Sequence, residues 1–499
     1  MNLIEAFRES ARQNRDLPAV FWGERAYTYN EIDNGAQDLT RRLVSEWAVK
    51  PGDRVGLWLK NCPEFVAAVF GVLGAGAILV PINNFLKPDE VAYILEDAGI
   101  EVLLTDAELG AHEANLKHRR PSLKVLRLSS LESYQTPAPA SPKLAPRAAH
   151  EPAVIIYTSG TTGHPKGAVL AHANLLHNVE SCRLVLAANA RDRMVVILPL
   201  FHSYMLCVGL LLPLLSGGSL ILVKSLHPLK SLLHEIQLHQ GTILPAIPQF
   251  YRSLMGLPTL PPLPLRLCIS GAAPLPLQFL HEFEAKFGIP LIEGYGLSEA
   301  SPVVAKNPLN GQRKPGSIGL PIPNVEMSVQ DELGNCLTAG EVGEICVRGG
   351  NVMLGYWNQP AETAKVMRGQ WLLTGDMGYH DADGYYYLTD RKKDMLLVNG
   401  MNVYPREIEE VLYQIAGIHE AAVVGLPDPK RGEQPVAFVA AEAPAGLDEQ
   451  RILHFVRERL ADYKVPRRVV FVPALPRNAT GKILKITLRE WARLPHSHP

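Results

Sequence analysis

The stretch PEFVAAVFGVLGAGAILVPIN, residues 63–83, predicts an apolar helix, a break at glycines and a buried strand over Ala77 to Val80. DEVAYILEDAGIEVLLTD, residues 89–106, repeats this order with an amphipathic helix, Gly99 as its C-terminal cap and a strand over Ile100 to Leu104. Because strand, glycine turn and helix recur at this spacing, the sequence predicts an α/β fold with largely parallel sheets.

A further buried strand, AVIIY, runs straight into a loop rich in glycine and hydroxyl groups, YTSGTTGHPKG at residues 157–167. Small residues let backbone N–H groups close on an anion, hydroxyl groups bond its oxygens, and Lys166 offsets its charge. The loop does not match the GxxxxGK[ST] pattern, since Pro165 precedes the lysine and Gly167 follows it. By itself, therefore, the loop indicates either a phosphate site or a polar turn.

The composition is that of an ordinary globular protein, with 499 residues of which 47% are apolar and 20% charged. At about 100–200 residues per domain, we expect about two to four folding units. A net charge of −1 offers no long-range attraction to nucleic acid, so no nucleic acid partner is expected. The six cysteines contain no CxxC pair, which favours free thiols in a reducing compartment.

Two segments bear on membrane insertion. The N-terminal MNLIEAFRESARQNRD has the pattern of an amphipathic helix and lacks the basic start and apolar core of a signal peptide. The apolar residues 204–223 are interrupted by Pro213 and by Ser-Gly-Gly-Ser, whereas a spanning helix needs about 20 residues. We expect a buried helix, a turn and a buried strand there, no transmembrane segment, and a cytoplasmic location.

The amino-acid composition changes at two places along the chain. Residues 107–150 include a Pro- and Ala-rich stretch and predict a surface connection. Beyond the charge cluster TDRKKD, a helix starts at Pro405 with Ile408, Val411, Leu412 and Ile415 on one face, and two strands, a helix and a strand follow. This order predicts a small α+β domain with a boundary between Asp390 and Lys393.

Several stretches combine glycine with a chemically capable residue: SGAAP at 270–274, EGYGLSEASP at 293–302, TGD with Asp376, DRKKD with Arg391 and PRNATGK with Lys482. Taken singly, each has a structural interpretation as well. A tyrosine between glycines packs its ring in a turn, and an aspartate in TGD stabilises one.

Together the motifs resemble the adenylate-forming superfamily of acyl-CoA synthetases, adenylation domains and luciferases. The order YTSGTTGxPKG, PLFH, SGAAP, GYGLSE, GEICVRG, TGD, DRKKD and PRNATGK carries the resemblance, which extends over nearly the whole chain. It implies a large N-terminal AMP-binding domain of doubly wound sheets plus a distorted barrel, residues 1–391. It also implies a small mobile α+β C-terminal domain, residues 392–499, and the fatty acid–CoA ligase branch.

The reaction implied by the resemblance uses ATP, Mg²⁺ and CoA in two halves. A carboxylate and ATP give acyl-AMP and pyrophosphate, and a thiol then displaces AMP. A carboxylate with a reference pKa near 4 is already ionised, so the first half needs no general base. Catalysis should come from positioning and from neutralising charge as one anion approaches a polyanion.

The resemblance also implies site residues. The phosphate loop would consist of Thr158, Ser159, Gly160, Thr161, Thr162, Gly163 and Lys166. The nucleotide would lie against Gly271, Ala272, Ala273, Gly294, Tyr295, Gly296, Leu297 and Ser298, with the Tyr295 ring on the adenine. Asp376 would accept the ribose hydroxyls with the support of Arg391. Glu299 and Thr158 would hold Mg²⁺.

Lys482 resembles the lysine that bridges the acyl carboxylate and the α-phosphate, and its place in the small domain means that closure would deliver it. Lys393 stands at the expected hinge, two positions after the motif arginine, and Gly400 would approach the pantetheine of CoA. His202 would gate the acyl pocket or guide the thiol, with a packed core histidine as the alternative.

The identity of the acid is less constrained. In amino-acid-activating relatives an aspartate binds the substrate ammonium where this chain has His202, so α-amino acids are disfavoured. The stretches HSYMLCVGLLLP, LPAIPQFYRSL and SEASPVV predict an apolar pocket, which suits an aliphatic tail at about 0.8 kcal/mol per buried CH₂. We expect a medium- to long-chain fatty acid. Aromatic acids come second, in a slot formed by Tyr204, Phe250 and Tyr251.

Other acceptors remain open at this level. The enzyme could load a carrier protein, close a β-hydroxy acid on itself, or act as a luciferase-like oxygenase. A nucleotide-binding regulator is disfavoured, because a protein that never reacts has no need of Lys482. We expect a monomer or homodimer, with transient membrane contact left open.

Overall fold

The computed structural model describes residues 1–128, 130–131, 147–158, 165–226, 228–257, 261–271, 275, 277–441, 447–477 and 482–494. Within these ranges, no helix has the length and apolar character needed to cross a bilayer. Their α-helices are α1 Leu3–Gln13, α2 Tyr29–Ser45, α3 Pro63–Gly74, α4 Pro88–Asp97, α5 Glu113–Arg119, α6 His172–Val185, α7 Leu212–Leu215, α8 Leu229–Leu238, α9 Pro248–Met255, α10 Leu277–Phe287, α11 Pro360–Val366, α12 Pro405–Leu412, α13 Glu449–Arg457 and α14 Lys485–Arg493.

The strands are β1 Pro18–Trp22, β2 Arg25–Thr28, β3 Arg54–Trp58, β4 Ile78–Pro81, β5 Val102–Thr105, β6 Lys124–Arg127, β7 Pro152–Thr158, β8 Lys166–Ala171, β9 Arg193–Val196, β10 Ser219–Leu222, β11 Ile243–Ala246, β12 Leu267–Ser270, β13 Leu291–Gly296, β14 Val303–Lys306, β15 Leu320–Pro321, β16 Val325–Gln330, β17 Gly343–Gly349, β18 Gly355–Tyr356, β19 Met367–Arg368, β20 Trp371–His380, β21 Tyr386–Arg391, β22 Leu396–Val398, β23 Met401–Val403, β24 Ile418–Asp428, β25 Gly432–Ala441 and β26 Arg468–Phe471. Short 3₁₀ helices occupy Leu109–His112 and Ser298–Ala300, and a π-helix occupies Met205–Leu211.

Local sequence explains how the first helices begin. The Asn2 side chain accepts a hydrogen bond from the Glu5 amide at 3.0 Å, and the Glu5 carboxylate accepts the Asn2 amide at 2.9 Å. Thr28 and Glu31 form the same reciprocal cap at the start of α2. These capping boxes satisfy amides that would otherwise lack partners in the first turn.

Two large sheets dominate the N-terminal part, as the repeated strand–helix pattern predicts. One has nine strands in the order β15-β14-β13-β12-β11-β9-β10-β1-β2, and its central pairs from β13 to β1 are parallel. The other has seven strands in the order β18-β8-β7-β4-β3-β5-β6, parallel from β7 to β6. Parallel strands aligned in this way bring their carboxyl ends to one edge, where ligands bind.

Two smaller sheets complete the molecule. Strands β16, β17, β20, β19 and β21 form a five-stranded antiparallel sheet at the position of the expected distorted barrel. The C-terminal sheet has the order β23-β22-β25-β24, with β26 parallel to β25. Its two faces pack in separate hydrophobic clusters, both built from residues after 395 in the described chain.

Some elements depart from the predictions. Residues 107–127 are not a simple connection, because α5 and β6 bury Leu116 and Leu126 against the seven-stranded sheet. Residues 132–146, which include most of the Pro- and Ala-rich stretch, lie outside the described part. Helix α12 ends at Leu412, so Ile415 is not on its apolar face. The hairpin β22–β23 and helix α14 were not predicted, because each contains few apolar residues and these form only short runs.

The apolar residues 204–223 form a buried helix, turn and strand, which confirms the prediction. Their first turns are wound as the π-helix Met205–Leu211, which continues into α7 before β10. Sequence periodicity does not distinguish a π-helix from an α-helix over so short a run. Such widened turns recur beside functional sites, and this one begins next to Tyr204.

Candidate active site

A cavity of about 1280 Å³ opens where β7, β12 and β13 end. The cavity is lined by residues at the carboxyl ends of strands from both large sheets and by residues from the C-terminal part of the chain. The predicted site residues that line it are Thr158, Lys166, His202, Gly271, Gly294, Tyr295, Gly296, Leu297, Ser298, Glu299, Arg391, Lys393 and Lys482. Ser159, Gly160, Thr161, Thr162, Gly163, Ala272 and Ala273 lie outside the described residues, so their predicted roles stay predictions.

Lys166 opens β8 directly opposite the end of β7, where it pairs in register with Thr158. Its ammonium forms an ion pair with Glu362 of α11 and lies 5.4 Å from the centre of the Tyr356 ring. The Lys166 and Lys365 ammonium groups lower the pKa of Glu362 to about 2, so this carboxylate is charged at physiological pH. The lysine predicted to bind phosphate is therefore already paired with an anionic oxygen.

Glu299 is held in place by its neighbours on two sides. Tyr356 donates its hydroxyl to Glu299 Oε1 at 2.9 Å, and the Glu299 carbonyl accepts the Met353 amide at 2.8 Å. Burial raises the pKa of Tyr356, which keeps its hydroxyl a donor. The second oxygen, Oε2, has no hydrogen bond to a described residue, and Glu299 is among the residues that line the cavity.

These oxygen donors fit Mg²⁺. The ion prefers oxygen ligands and is commonly held by one or two carboxylates together with substrate phosphates and water. Glu299 supplies the carboxylate and Thr158 a hydroxyl, and the described residues contain no cluster of three or more His, Cys, Asp or Glu that could hold a metal alone. When bound there, Mg²⁺ would neutralise charge on the phosphate oxygens.

Asp376 lies behind the cavity wall and connects Tyr295 to Arg391. Tyr295 donates its hydroxyl to Asp376 Oδ2 at 2.6 Å, and Arg391 Nε lies 2.9 Å from Oδ1. The Asp376 carboxylate raises the pKa of Arg391, which stays charged. Asp376 is 5% exposed and is not among the residues that line the cavity, so its role toward the ribose stays a prediction.

Two glycines allow close approach in the predicted nucleotide pocket. A Cβ atom on Gly296 would lie 2.1 Å from the Pro302 carbonyl oxygen, which no side chain tolerates. A Cβ on Gly271 would lie 3.3 Å from the Tyr204 ring, a tight contact. Glycine at these positions lets the Pro302 backbone approach Gly296 and the Tyr204 ring approach Gly271.

Lys482 and His202 both line the cavity, and the charge of Lys482 acts on His202. Burial, together with Arg391 and Lys393, lowers the pKa of Lys482 to about 8. Burial and then the charge of Lys482 lower the pKa of His202 to about 4, so its imidazole is neutral at physiological pH. His202 Nδ1 accepts the Tyr204 amide at 3.3 Å, which orients the ring. An anionic substrate would restore charge balance around this excess of cations.

The remaining predicted residues divide between cavity and surface. Ser298 shares a hydrogen bond of 2.9 Å with Ser203, and Lys393 lines the cavity near Lys482. Gly400 lies outside the cavity lining, in the exposed β22–β23 turn, where its φ of 77° favours glycine. Its role toward CoA stays a prediction.

The side of the cavity that is expected to bind the acyl group lacks two of the three aromatic residues that were predicted to form a flat slot. Phe250 and Tyr251 belong to a hydrophobic core cluster, and Tyr251 is fixed there by its hydroxyl, which donates to the Leu244 carbonyl at 2.6 Å. Tyr204 does line the cavity, and so does the buried Lys306 at the end of β14.

The sequence analysis missed Lys306, Tyr356 and Glu362. A single lysine that ends the apolar run VVAK was the available signal for Lys306. The other two residues lie in loops and short elements with no periodicity, and only the fold brings them beside Glu299 and Lys166.

Comparison with known proteins agrees with this geometry. The chain is 37% identical to a long-chain-fatty-acid–CoA ligase of Bacillus subtilis (strain 168), over 97% of this chain and 93% of that one. It is 35% identical to a feruloyl-CoA synthase of Amycolatopsis sp, over 96% of each chain.

Its structure superposes on ATP-bound MatB from Rhodopseudomonas palustris with a TM-score of 0.91, at 32% identity and over 99% of both chains. The TM-score against the apo form of the same protein is 0.81, again at 32% identity over 99% of each. Residues 7–357 match the AMP-binding enzyme family, and residues 407–482 match the AMP-binding enzyme C-terminal domain. The chain therefore belongs to the family of AMP-binding enzymes.

Proposed function

We propose that this enzyme activates a medium- to long-chain fatty acid as acyl-AMP and then transfers the acyl group to CoA. The coarser activity follows from the family: it is an AMP-forming acid–thiol ligase that uses ATP, Mg²⁺ and CoA. The observation that carries the proposal is the position of Lys482, which lines the same cavity as Lys166 and Glu299 although it comes from the C-terminal part of the chain.

The arrangement suits the first half-reaction. A carboxylate oxygen of the acid attacks the α-phosphorus of ATP, the bond to the bridging oxygen breaks, and pyrophosphate leaves. The chain's own residues contribute charge and orientation here: Lys166 on the phosphate side, Lys482 between acid and α-phosphate, and Arg391 with Asp376 on the ribose. Fixed charges of this kind act strongly in a buried site because they need no reorganisation during the reaction.

The second half-reaction requires a thiol to reach the acyl carbonyl. Its sulfur attacks the carbonyl carbon and AMP leaves with the bonding electron pair. We propose that the C-terminal domain, residues 392–499, rotates about Lys393 between the halves and brings Gly400 toward CoA. Support comes from the hydrophobic clusters of the described residues, none of which combines side chains from before 390 and after 395.

We interpret the arrangement of the two domains in this structure as the one that serves the adenylation half-reaction. The higher TM-score against the ATP-bound relative than against its apo form supports this interpretation. The position of Lys482 in the cavity lining, close enough to Arg391 for their charges to interact, supports it independently, because the C-terminal domain must be closed to place that side chain there.

An aromatic acid is the second candidate, since one relative is named a feruloyl-CoA synthase. The aliphatic acid is preferred because Phe250 and Tyr251 pack in the core and leave the expected flat slot without two of its walls. Loading of a carrier protein and ring closure of a β-hydroxy acid are alternatives, and analysis of the reaction products distinguishes both from transfer to CoA.

We propose a cytoplasmic location, where ATP and CoA are available and the six free cysteines stay reduced.

The test is mass spectrometry of the products formed from ATP, Mg²⁺ and a panel of aliphatic and aromatic acids, each with and without CoA. We expect acyl-AMP alone when CoA is omitted and acyl-CoA when it is present. Acyl-AMP that never becomes acyl-CoA would contradict the CoA step. A preference for aromatic acids would replace the fatty acid with the second candidate.

A further inference from the structure

A buried lysine lines the acyl side of the cavity. Lys306, the last residue of β14, is 4% exposed and faces the cavity. Among the described residues, none forms an ion pair or hydrogen bond with its ammonium, and the neighbouring Cys182 thiol is neutral at physiological pH because burial raises its pKa to about 11. Burial lowers the pKa of Lys306 to about 8, which leaves it mostly protonated at neutral pH. A buried cation without a partner is unfavourable unless a ligand supplies one.

Tyr204 provides a second polar group on the same side. Its hydroxyl is buried and has no hydrogen-bond partner in the described part of the chain. Burial raises the pKa of Tyr204, so the hydroxyl remains a donor. A buried donor left unpaired weakens the fold by about 1–3 kcal/mol, which again points to an absent acceptor.

Strand register places these two groups together. Lys306 pairs with Gly294, and a Cβ on Gly294 would lie 3.6 Å from Lys306 Cγ. A Cβ on Gly271 would lie 3.5 Å from the Tyr204 hydroxyl oxygen. Ser270 and Glu293 are partners in the parallel pair β12–β13, so Gly271 and Gly294 lie side by side and face the same way. Neighbouring strands are about 4.8 Å apart, so Lys306 and Tyr204, which both line the cavity, lie at one region of it.

We infer that the acid substrate carries a second anionic group, a carboxylate, at its far end, and that the Lys306 ammonium and the Tyr204 hydroxyl bind it. This inference rests on the proposed acyl-CoA ligase activity and narrows its substrate from a simple fatty acid to an α,ω-dicarboxylic acid. A methyl end would leave both groups unpaired, whereas a carboxylate accepts from both.

The test compares monocarboxylic and α,ω-dicarboxylic acids of equal chain length in acyl-CoA formation, for the wild type and for Lys306→Met. Methionine has a similar length and no charge. We expect the wild type to prefer the dicarboxylic acid, and Lys306→Met to lower kcat/KM for that acid about 10- to 100-fold, as the loss of a charged hydrogen bond does. kcat/KM for the monocarboxylic acid should be unchanged or higher.

Two further variants serve as checks. Lys430→Met removes an exposed lysine of the C-terminal domain and should leave the selectivity unchanged. Tyr204→Phe should shift selectivity in the same direction as Lys306→Met, so the inference remains testable if Lys306→Met does not fold.

Equal use of the two acid classes by the wild type, with no shift in either site variant, overturns the inference while the proposed ligase activity stands. Absence of acyl-AMP from every acid of either class overturns the proposed function, and the inference with it.

Discussion

At the scale of single residues, the site depends on several cations that line one cavity. Lys482 is surrounded by Arg391 and Lys393, and its pKa falls to about 8 because both burial and these charges oppose protonation. In the free enzyme, Lys482 is therefore protonated below pH 8 and loses its proton as the pH rises through that value. A bound anion would favour the protonated form.

Lys482→Ala should reduce acyl-AMP formation about 100- to 1,000-fold, the usual effect of removing one preorganised charge stabiliser. Conversion of supplied acyl-AMP and CoA into acyl-CoA should continue, because that step does not need the bridge. Single-turnover assays of each half-reaction measure both effects. An equal loss in both halves would contradict the assigned role.

The pH dependence tests the same residue independently. Adenylation by the wild type, measured as kcat/KM, should decline as the pH rises through about 8, when Lys482 becomes neutral. Lys482→Arg should lack this decline, whatever its absolute rate, because a guanidinium stays charged. A decline at the same pH in the variant would assign the titration to another group.

Gly296→Ala should destabilise the protein and abolish adenylation, because the added Cβ would lie 2.1 Å from a backbone carbonyl oxygen that cannot move freely. Gly256→Ala is the matched control, since the nearest atom to its Cβ lies at 3.5 Å. Thermal unfolding and acyl-AMP formation report on the two variants. Normal activity of Gly296→Ala would mean that β13 and the Pro302 segment separate easily.

At the scale of elements, the short helix α11 lies against the phosphate side of the cavity. Glu362 from α11 pairs with both Lys166 and Lys365, while Tyr356 of β18 contacts Glu299. If Lys166 binds the phosphates as proposed, ATP competes with the Glu362 carboxylate for its ammonium. In the free site, Glu362 balances the charge of Lys166.

Glu362→Gln should lower the KM for ATP about two- to fivefold with little change in kcat, because a modest, partly screened ion pair no longer competes with the phosphates. Lys365→Met is the control: it removes the second partner of Glu362 and leaves the pair with Lys166. Steady-state kinetics at saturating acid and CoA measure the change. A higher KM for the glutamine variant would show instead that Glu362 helps to position Lys166.

At the scale of the whole molecule, two parts of the chain share one site. The large sheets supply Lys166, Gly271 and Tyr295, and the C-terminal part supplies Lys482. In the proposed mechanism the two halves of the reaction need different groups near the acyl carbonyl, and we therefore propose that the C-terminal domain moves between them.

Lys393→Pro should spare acyl-AMP formation and abolish thioester formation, because proline fixes φ and prevents the backbone rotation expected at the hinge. Lys393→Ala is the control, since it removes the same side chain and keeps the backbone free. Separate assays of the two half-reactions decide the matter. If proline and alanine had the same effect, the side chain rather than the hinge would be responsible.

The sequence by itself determined the α/β class and the order of the motifs, and most of the predicted site residues that the structure describes do line the cavity. These are local properties: apolar periodicity specifies helices and strands, and the glycine-rich loops follow strand ends where ligands bind. The family and its ATP-dependent chemistry followed from eight motifs in one order.

The tertiary structure alone decided which side chains meet. Glu362 reaches Lys166 across 196 positions of sequence, and Tyr356 reaches Glu299 across 57. The register of the strands places Lys306 beside Gly294 of β13 and Tyr204 beside Gly271, which follows β12. Phe250 and Tyr251 pack in the hydrophobic core and do not line the pocket. Such contacts depend on the pairing of distant strands, which leaves no periodic signal in the chain.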